Sequence, residues 1–471
     1  MGNVSTVINT TEVATGVDNF TTSLTTYLNY LSLPADNVLV DNDQRHTVIN
    51  NFPSVIDRID VEKRTNSLYL SKFIAACGAG LFDAALNFLW NETVVNLRWK
   101  VSLNDIDYFY DSIVTDTKRR DKLKTKDDLI NIEEWELVKG CHLTGLLSDI
   151  GFKHLDYIRD MRNWASAAHP NQSQLTGFML VSWLETCIKE VIAKEPEPSA
   201  IKIKWVLSNI RNNDLEPDDF AHIKSAMESL PQDVIDSFLR TIFGMYTNNN
   251  AAVKVKNNIK NIAKKCWDLS SETTKYSCGI RYQSFAANGE RERKDAASEF
   301  LTAVFGLPYL PLDSLAVEIS IRINSLYQAH FGWHNFHNEP AHASALSAYI
   351  SSAGNVPDSV RSEYVKVVVL CYLGNSYGVS DMAISYYKEM ISKFGELELK
   401  EFVKIVYDKE LMSRLEIKRC ASRYKEMACD FVDRTTNQIT LQALGIITTA
   451  TELQLPNLSK TTAYDKLIRS Y

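Results

Sequence analysis

The sequence predicts an all-α fold, on three observations. Apolar residues recur at three- and four-residue steps along most of the chain, no convincing run alternates with period two, and Pro, Gly and Asn signals punctuate the periodic stretches. The 471 residues suggest two to four domains at roughly 100–200 residues each. Apolar residues make up 45% and charged residues 23%, enough apolar material for a buried core. The formal net charge of −7 means that any polyanion contact must come from local basic patches.

Residues 1–60 read as an N-terminal extension, with one short helix around 19–32 and a polar stretch ending near Pro53. From 61 to 195 the pattern is that of a helical bundle. Leu68, Leu70, Phe73, Ile74 and Cys77 begin an apolar face that Phe82, Leu86, Leu89 and Trp90 continue. The segment 73–90 is almost wholly apolar. A membrane span needs about 20 such residues and tolerates a central charge poorly, and Asp83 sits mid-segment, so a central bundle helix is expected. A second helix is expected over 103–118, capped by Asn104 or Asp105, and a third from Asp127–Asp128 to Ser148, broken by Gly151. A fourth covers 153–168 and stops at His169-Pro170, because proline disfavours helical dihedrals in the residue before it. An amphipathic helix over 172–194 closes the bundle, and AKEPEPSA (193–200) marks a boundary. A helical middle region, 201–345, and a C-terminal helical region, 346–471, follow. SYYKEM (385–390) and SRYKEM (422–427) echo one another, a spacing that suits helix-pair repeats as well as chance.

Eight cysteines are scattered without C-x-x-C spacing, which leaves zinc-ribbon and thioredoxin readings unsupported. Most lie in apolar surroundings, as small hydrophobes would. No basic-then-apolar leader is visible, so a reduced cytoplasmic protein is expected and the Asn-x-Ser/Thr triplets carry no weight. The start MGNVST fits the myristoylation pattern, but no second membrane signal accompanies it. P-loop, G-x-S-x-G, H-E-x-x-H and G-x-G-x-x-G patterns are absent from the sequence.

The stretch RNWASAAHPN holds the main chemical candidates: Arg162, Asn163 and His169. Arg162 and His169 are seven residues apart, two turns along one helical face. A helix C-terminus supports an imidazolium, and a histidine titrating near neutrality moves protons either way. Arginine stays charged and offers a donor fork to phosphate. Those two groups meet the needs of RNA transesterification: a proton carrier for the 2′-OH or the leaving oxygen, and charge stabilisation at phosphorus. The bland alternative is a solvated, capped helix end.

These residues resemble the HEPN family, whose motif is Arg, four to six residues of which the first is often polar, then His, late in a small helical bundle. Arg162, Asn163 and the six residues before His169 match at the longest permitted spacing. The resemblance covers about residues 61–195. It implies a homodimer with two facing motifs and metal-independent, cofactor-free cleavage of RNA, often tRNA, to a 2′,3′-cyclic phosphate. It also implies service in antiphage defence or as a toxin, alongside a sensing or inhibitory protein partner. On that analogy His169 is the general acid/base, Arg162 the phosphate stabiliser and Asn163 the orienting residue. The competing expectation is a non-enzymatic helical scaffold or sensor whose bundle serves only dimerisation.

Other stretches add candidates. Lys118, Arg119, Arg120, Lys122, Lys124 and Lys126 either track an RNA backbone or form a solvated linker. Lys256, Lys260 and Lys264, opposite Val255, Ile259, Ile262 and Cys266, predict a basic amphipathic helix. His330, His334, His337 and His342 lie among aromatic residues, the first three at helical spacing. They leave open a metal site, a base-stacking contact or a packed loop; no metal is assigned.

Overall fold

The computed structural model describes residues 10–114, 116–165, 175–352, 354 and 356–471. The regular elements among these residues are all helices, joined by turns and short loops. Among them the sole β pairing is an isolated bridge between Asn375 and Gly378, so the all-α class holds. The chain forms two compact units, 1–245 with 251–271, and 246–250 with 272–471.

The first unit opens with α1 (Thr10–Tyr30) and α2 (Asn42–Ile56). Residues 42–59, expected to be part of an extension, instead place Val48, Phe52, Val55 and Ile59 in the main apolar core. The signal was weak because α2 spends its other face on Asn, Gln, His and Asp.

The apolar stretch 68–90 is two helices, α3 (Leu68–Ala79) and α4 (Phe82–Ser102), where the sequence pattern suggested one continuous face. Gly80 separates them in the left-handed region, φ 80°. The Leu81 amide bonds the Ala76 carbonyl at 2.9 Å, the closure that ends a helix on a left-handed residue. No described helix is long and apolar enough to cross a membrane. Asp83 lies exposed in the first turn of α4, where a carboxylate complements the helix dipole.

Asp105 caps α5 (Ile106–Ile113) by accepting from the Tyr108 amide. The expected long helix from Asp127 to Ser148 is a 3-10 turn, Lys126–Asn131, followed by α6 (Glu134–Leu143). Asp128 and Glu136 each turn back onto a backbone amide three residues earlier, so each closes its own start. Helix α7 runs from Asp149 to Ala165. Gly151 lies inside it and does not break it; Ser148 Oγ accepts from the Gly151 amide at 3.1 Å and caps the helix. A Cβ on Gly151 would come within 2.8 Å of Leu147 and 3.0 Å of Glu190, so glycine is there for close packing.

Helix α8 (Gly177–Cys187) continues as a π turn, Ile188–Ile192. It buries Leu180, Trp183 and Leu184 and leaves Phe178 exposed. One core joins α2 to α8: Phe73, Leu86, Trp90, Leu97, Phe109, Leu137, Leu155, Ile158, Leu184 and Val191. The basic amphipathic pattern forms α9 (Val253–Leu269), with Ile259, Ile262 and Cys266 buried as expected. All eight cysteines are free thiols, seven of them buried. Burial pushes the Cys187 thiol up to about 12, against the opposing effect of a hydrogen bond with Thr93.

In the second unit, α10 (Leu312–Phe331) and α11 (Asn335–Ser347) pack together beside α12 (Asp358–Leu373). Helix α13 (Lys409–Leu415) follows, capped by the Asp408 carboxylate. Both echoed segments are helical and bury the same two side-chain types, Tyr387 with Met390 and Tyr424 with Met427.

Candidate functional site

Helix α7 turns Leu155 and Ile158 into the core and carries Arg162 in its last turn. The Arg162 guanidinium lies 5.8 Å from the centre of the buried Trp90 ring and is paired with Glu134. The same carboxylate oxygen accepts from Trp90 Nε1 at 2.8 Å. Glu134 is the first residue of α6, where the helix dipole favours an anion. Arg162 Nε is buried without a hydrogen-bond partner among the described residues. Asn163 and Trp164 are exposed at the end of the described part of α7. His169 lies outside the described residues.

Two residues further along α6, Glu136 receives Arg119 in a bidentate bridge of 2.5 and 2.6 Å. That bridge, with the Glu133 amide, holds the Glu136 carboxyl below its usual range despite burial. The first turn of α6 thus anchors two distant arginines, one from the basic segment and one from the RNWASAAH stretch. Sequence reasoning passed over Glu134 and Glu136. The visible signal was the acidic run Glu133, Glu134, Glu136 at a helix start.

The basic segment divides by role. Arg120 is tied to Asp111 at 2.7 Å and Asp107 at 2.8 Å, and its guanidinium stands over Tyr110 at 5.6 Å. Arg119 and Arg120 therefore fasten the segment to the bundle, because their carboxylate partners take up their charge. Lys118, Lys122, Lys124 and Lys126 are exposed. In α9, Lys264 and Lys265 pair with Asp268 and Glu228.

The histidines do not share one helix. α10 ends at Phe331, and His334 takes a left-handed conformation, φ 54°, before α11 begins. His330 is buried, its Nδ1 2.9 Å from Glu339 Oε1, while His334 and His337 are exposed and His342 is half-buried. Among the described residues, one acid–histidine group has its candidate ligand atoms within 4.8 Å of one another: His142, Asp149 and Asp233. Its imidazole faces Asp149 with Nδ1 at 3.6 Å and Asp233 with Nε2 at 3.3 Å, and stacks on Phe152. An imidazole that spends both nitrogens on two different carboxylates is bridging them.

No family model, curated protein or solved structure matches the chain.

Proposed function

We propose that the chain is a metal-independent endoribonuclease of the HEPN type. The observation that carries the reading is the shared anchoring of Arg162 and Arg119 on the first turn of α6. It ties the candidate phosphate stabiliser and the lysine-bearing segment to one support. Lys118, Lys122, Lys124 and Lys126 would follow the RNA backbone, Arg162 would take the reacting phosphate and Asn163 would orient it. His169 would accept the 2′-OH proton and return a proton to the departing 5′ oxygen. The 2′ oxygen bonds phosphorus as the P–O5′ bond breaks, leaving a 2′,3′-cyclic phosphate. Helix α7 also exposes Ile150, Tyr157 and Trp164 at seven-residue steps, an apolar stripe on one face. A second copy covering that stripe would bring two motifs near one another, as the HEPN arrangement requires. The family resemblance adds a role as a defence or toxin effector acting on RNA such as tRNA, under a sensing or inhibitory partner.

A second reading is favoured by the Arg162–Glu134 pair over Trp90, which suits a purely structural arginine. In that reading the bundle is a dimerising scaffold. The test is cleavage of total RNA in EDTA, with the ends analysed for cyclic phosphate. The nuclease reading expects activity that Arg162→Ala and His169→Ala abolish in folded protein. Intact RNA with wild-type protein, or cleavage by both folded variants equal to that of the wild type, overturns it. The scaffold reading expects Tyr157→Glu to matter and His169→Ala not to.

A further inference from the structure

The second unit holds an arginine of a different kind from Arg162. Arg414 has no carboxylate within ion-pair distance among the described residues. One terminal amino group donates to the Gly374 carbonyl, and the other lies 3.2 Å from His330 Nε2. An arginine donates and never accepts, so Nε2 must be the acceptor and the proton sits on Nδ1. Nδ1 therefore donates to Glu339 Oε1, and His330 is neutral.

Glu339 is 1% exposed and is fully served. Asn335 Nδ2 donates to it at 2.9 Å and the Tyr387 hydroxyl at 2.7 Å. A buried carboxylate, fixed by three donors, thus orients a neutral imidazole that orients Arg414. Such a relay holds a guanidinium in place without cancelling its charge by direct contact. Two of its five donors are used.

Arg414 lines a cleft of about 340 Å³, together with Phe331, Lys409, Glu410, Ser413 and Ile417. That is within the range of about 300–1,000 Å³ in which small ligands are held. The wall offers a guanidinium fork, a lysine and a hydroxyl, donors that suit the several oxygens of a phosphate group. Phe331 offers a ring, with Arg414 5.6 Å from its centre. Glu410 is the one carboxylate on the wall. It accepts from the Tyr327 hydroxyl and pairs with Lys366 at 3.0 Å, which offsets its charge beside the anion site.

We infer that the cleft between the end of α10 and α13 binds the phosphate ester of a sugar or nucleoside, with Arg414 as the phosphate anchor and His330 and Glu339 as its positioning residues. The inference stands independently of the nuclease proposal. The experiment titrates the full chain with inorganic phosphate, ribose 5-phosphate, adenosine 5′-monophosphate and adenosine, by calorimetry at constant ionic strength. Saturable binding is expected for the phosphate-bearing probes and not for adenosine. Ser413→Glu, a substitution on an exposed position of α13, and Arg414→Gln should each weaken binding at least about tenfold, equivalent to about 1.4 kcal/mol. His330→Gln keeps both a donor and an acceptor and should retain binding that His330→Leu loses. Failure of every phosphate probe to saturate at millimolar concentration overturns the inference. So does unchanged affinity in Ser413→Glu, which would place anion binding elsewhere.

Discussion

Replacing Arg162 and Glu134 singly and together separates a structural arginine from a catalytic one. The Arg162 side chain is 20% exposed and that of Glu134 37%. An exposed ion pair contributes about 0–1 kcal/mol, and breaking a buried one costs about 3–5 kcal/mol. A pair between these limits, sharing its carboxylate with Trp90, should show a coupling energy of about 1 kcal/mol in a double-mutant cycle. Arg162→Ala also loses its cation–π contact, worth about 0.5–1 kcal/mol, so its total destabilisation should be about 1–2 kcal/mol. Glu134→Gln keeps an oxygen for Trp90 and should cost less. Urea denaturation of the four proteins measures the cycle, and RNA cleavage by the same preparations measures the chemistry. Under the nuclease proposal, Arg162→Ala lowers cleavage by about 100-fold or more, far beyond its effect on stability. Glu134→Gln removes a carboxylate that competes with phosphate and should strengthen RNA binding by about fivefold, the equivalent of about 1 kcal/mol. A coupling energy near zero refutes the ion pair as a stabilising contact. Full cleavage by folded Arg162→Ala refutes the catalytic role.

Lys100 is 4% exposed and its ammonium donates to the Lys194 carbonyl; burial, the largest influence, lowers it to about 8 from 10.5. Between those values the unfolded chain holds the extra proton, so this group's penalty is fully present below about pH 8 and fades as pH rises to about 10.5. The shift corresponds to about 3 kcal/mol, and an orphaned carbonyl costs about 1–3 kcal/mol, so Lys100→Met should gain about 1 kcal/mol near neutrality. Urea midpoints at neutral and strongly alkaline pH test this: a difference between the two proteins that does not change with pH sinks it. Gly80→Ala should lose at least about 1–2 kcal/mol from its left-handed conformation, because its Cβ would also strike the buried Arg45 guanidinium; wild-type stability in that variant would count against the assigned turn. Arg120→Ala removes the guanidinium partner of the largely buried Asp111 and should cost about 1–3 kcal/mol, whereas Lys122→Ala should stay within about 0.5 kcal/mol. For RNA affinity the order should reverse, with Lys122→Ala reducing the salt slope by about 1; an unchanged slope removes Lys122 from the RNA path.

The helical class was legible because the three- and four-residue periodicity of the apolar residues is a local property. So was the basic face of α9, where the lysines and the buried Ile259 and Ile262 fall on opposite sides of one helix. Caps were harder to place. Ser148 and the Glu133–Glu136 pair start helices that the sequence pattern ran together or began elsewhere, since a cap depends on one hydrogen bond and not on a repeated pattern. Gly151 shows the same limit: glycine reads as a breaker until the close approach of Leu147 and Glu190 reveals a packing reason.

What the sequence determined by itself was the helical class and most of the cysteines as buried apolar residues, and it nominated Arg162, Asn163 and His169 as candidates, all from properties of neighbouring residues. What only the tertiary structure decided was how the charges are spent. Arg162 meets Glu134 across 28 residues, Arg119 meets Glu136 across 17, and Arg414 meets His330 across 84. Whether an arginine is neutralised or held ready depends on which group folding brings beside it, and a charge alone does not name its partner.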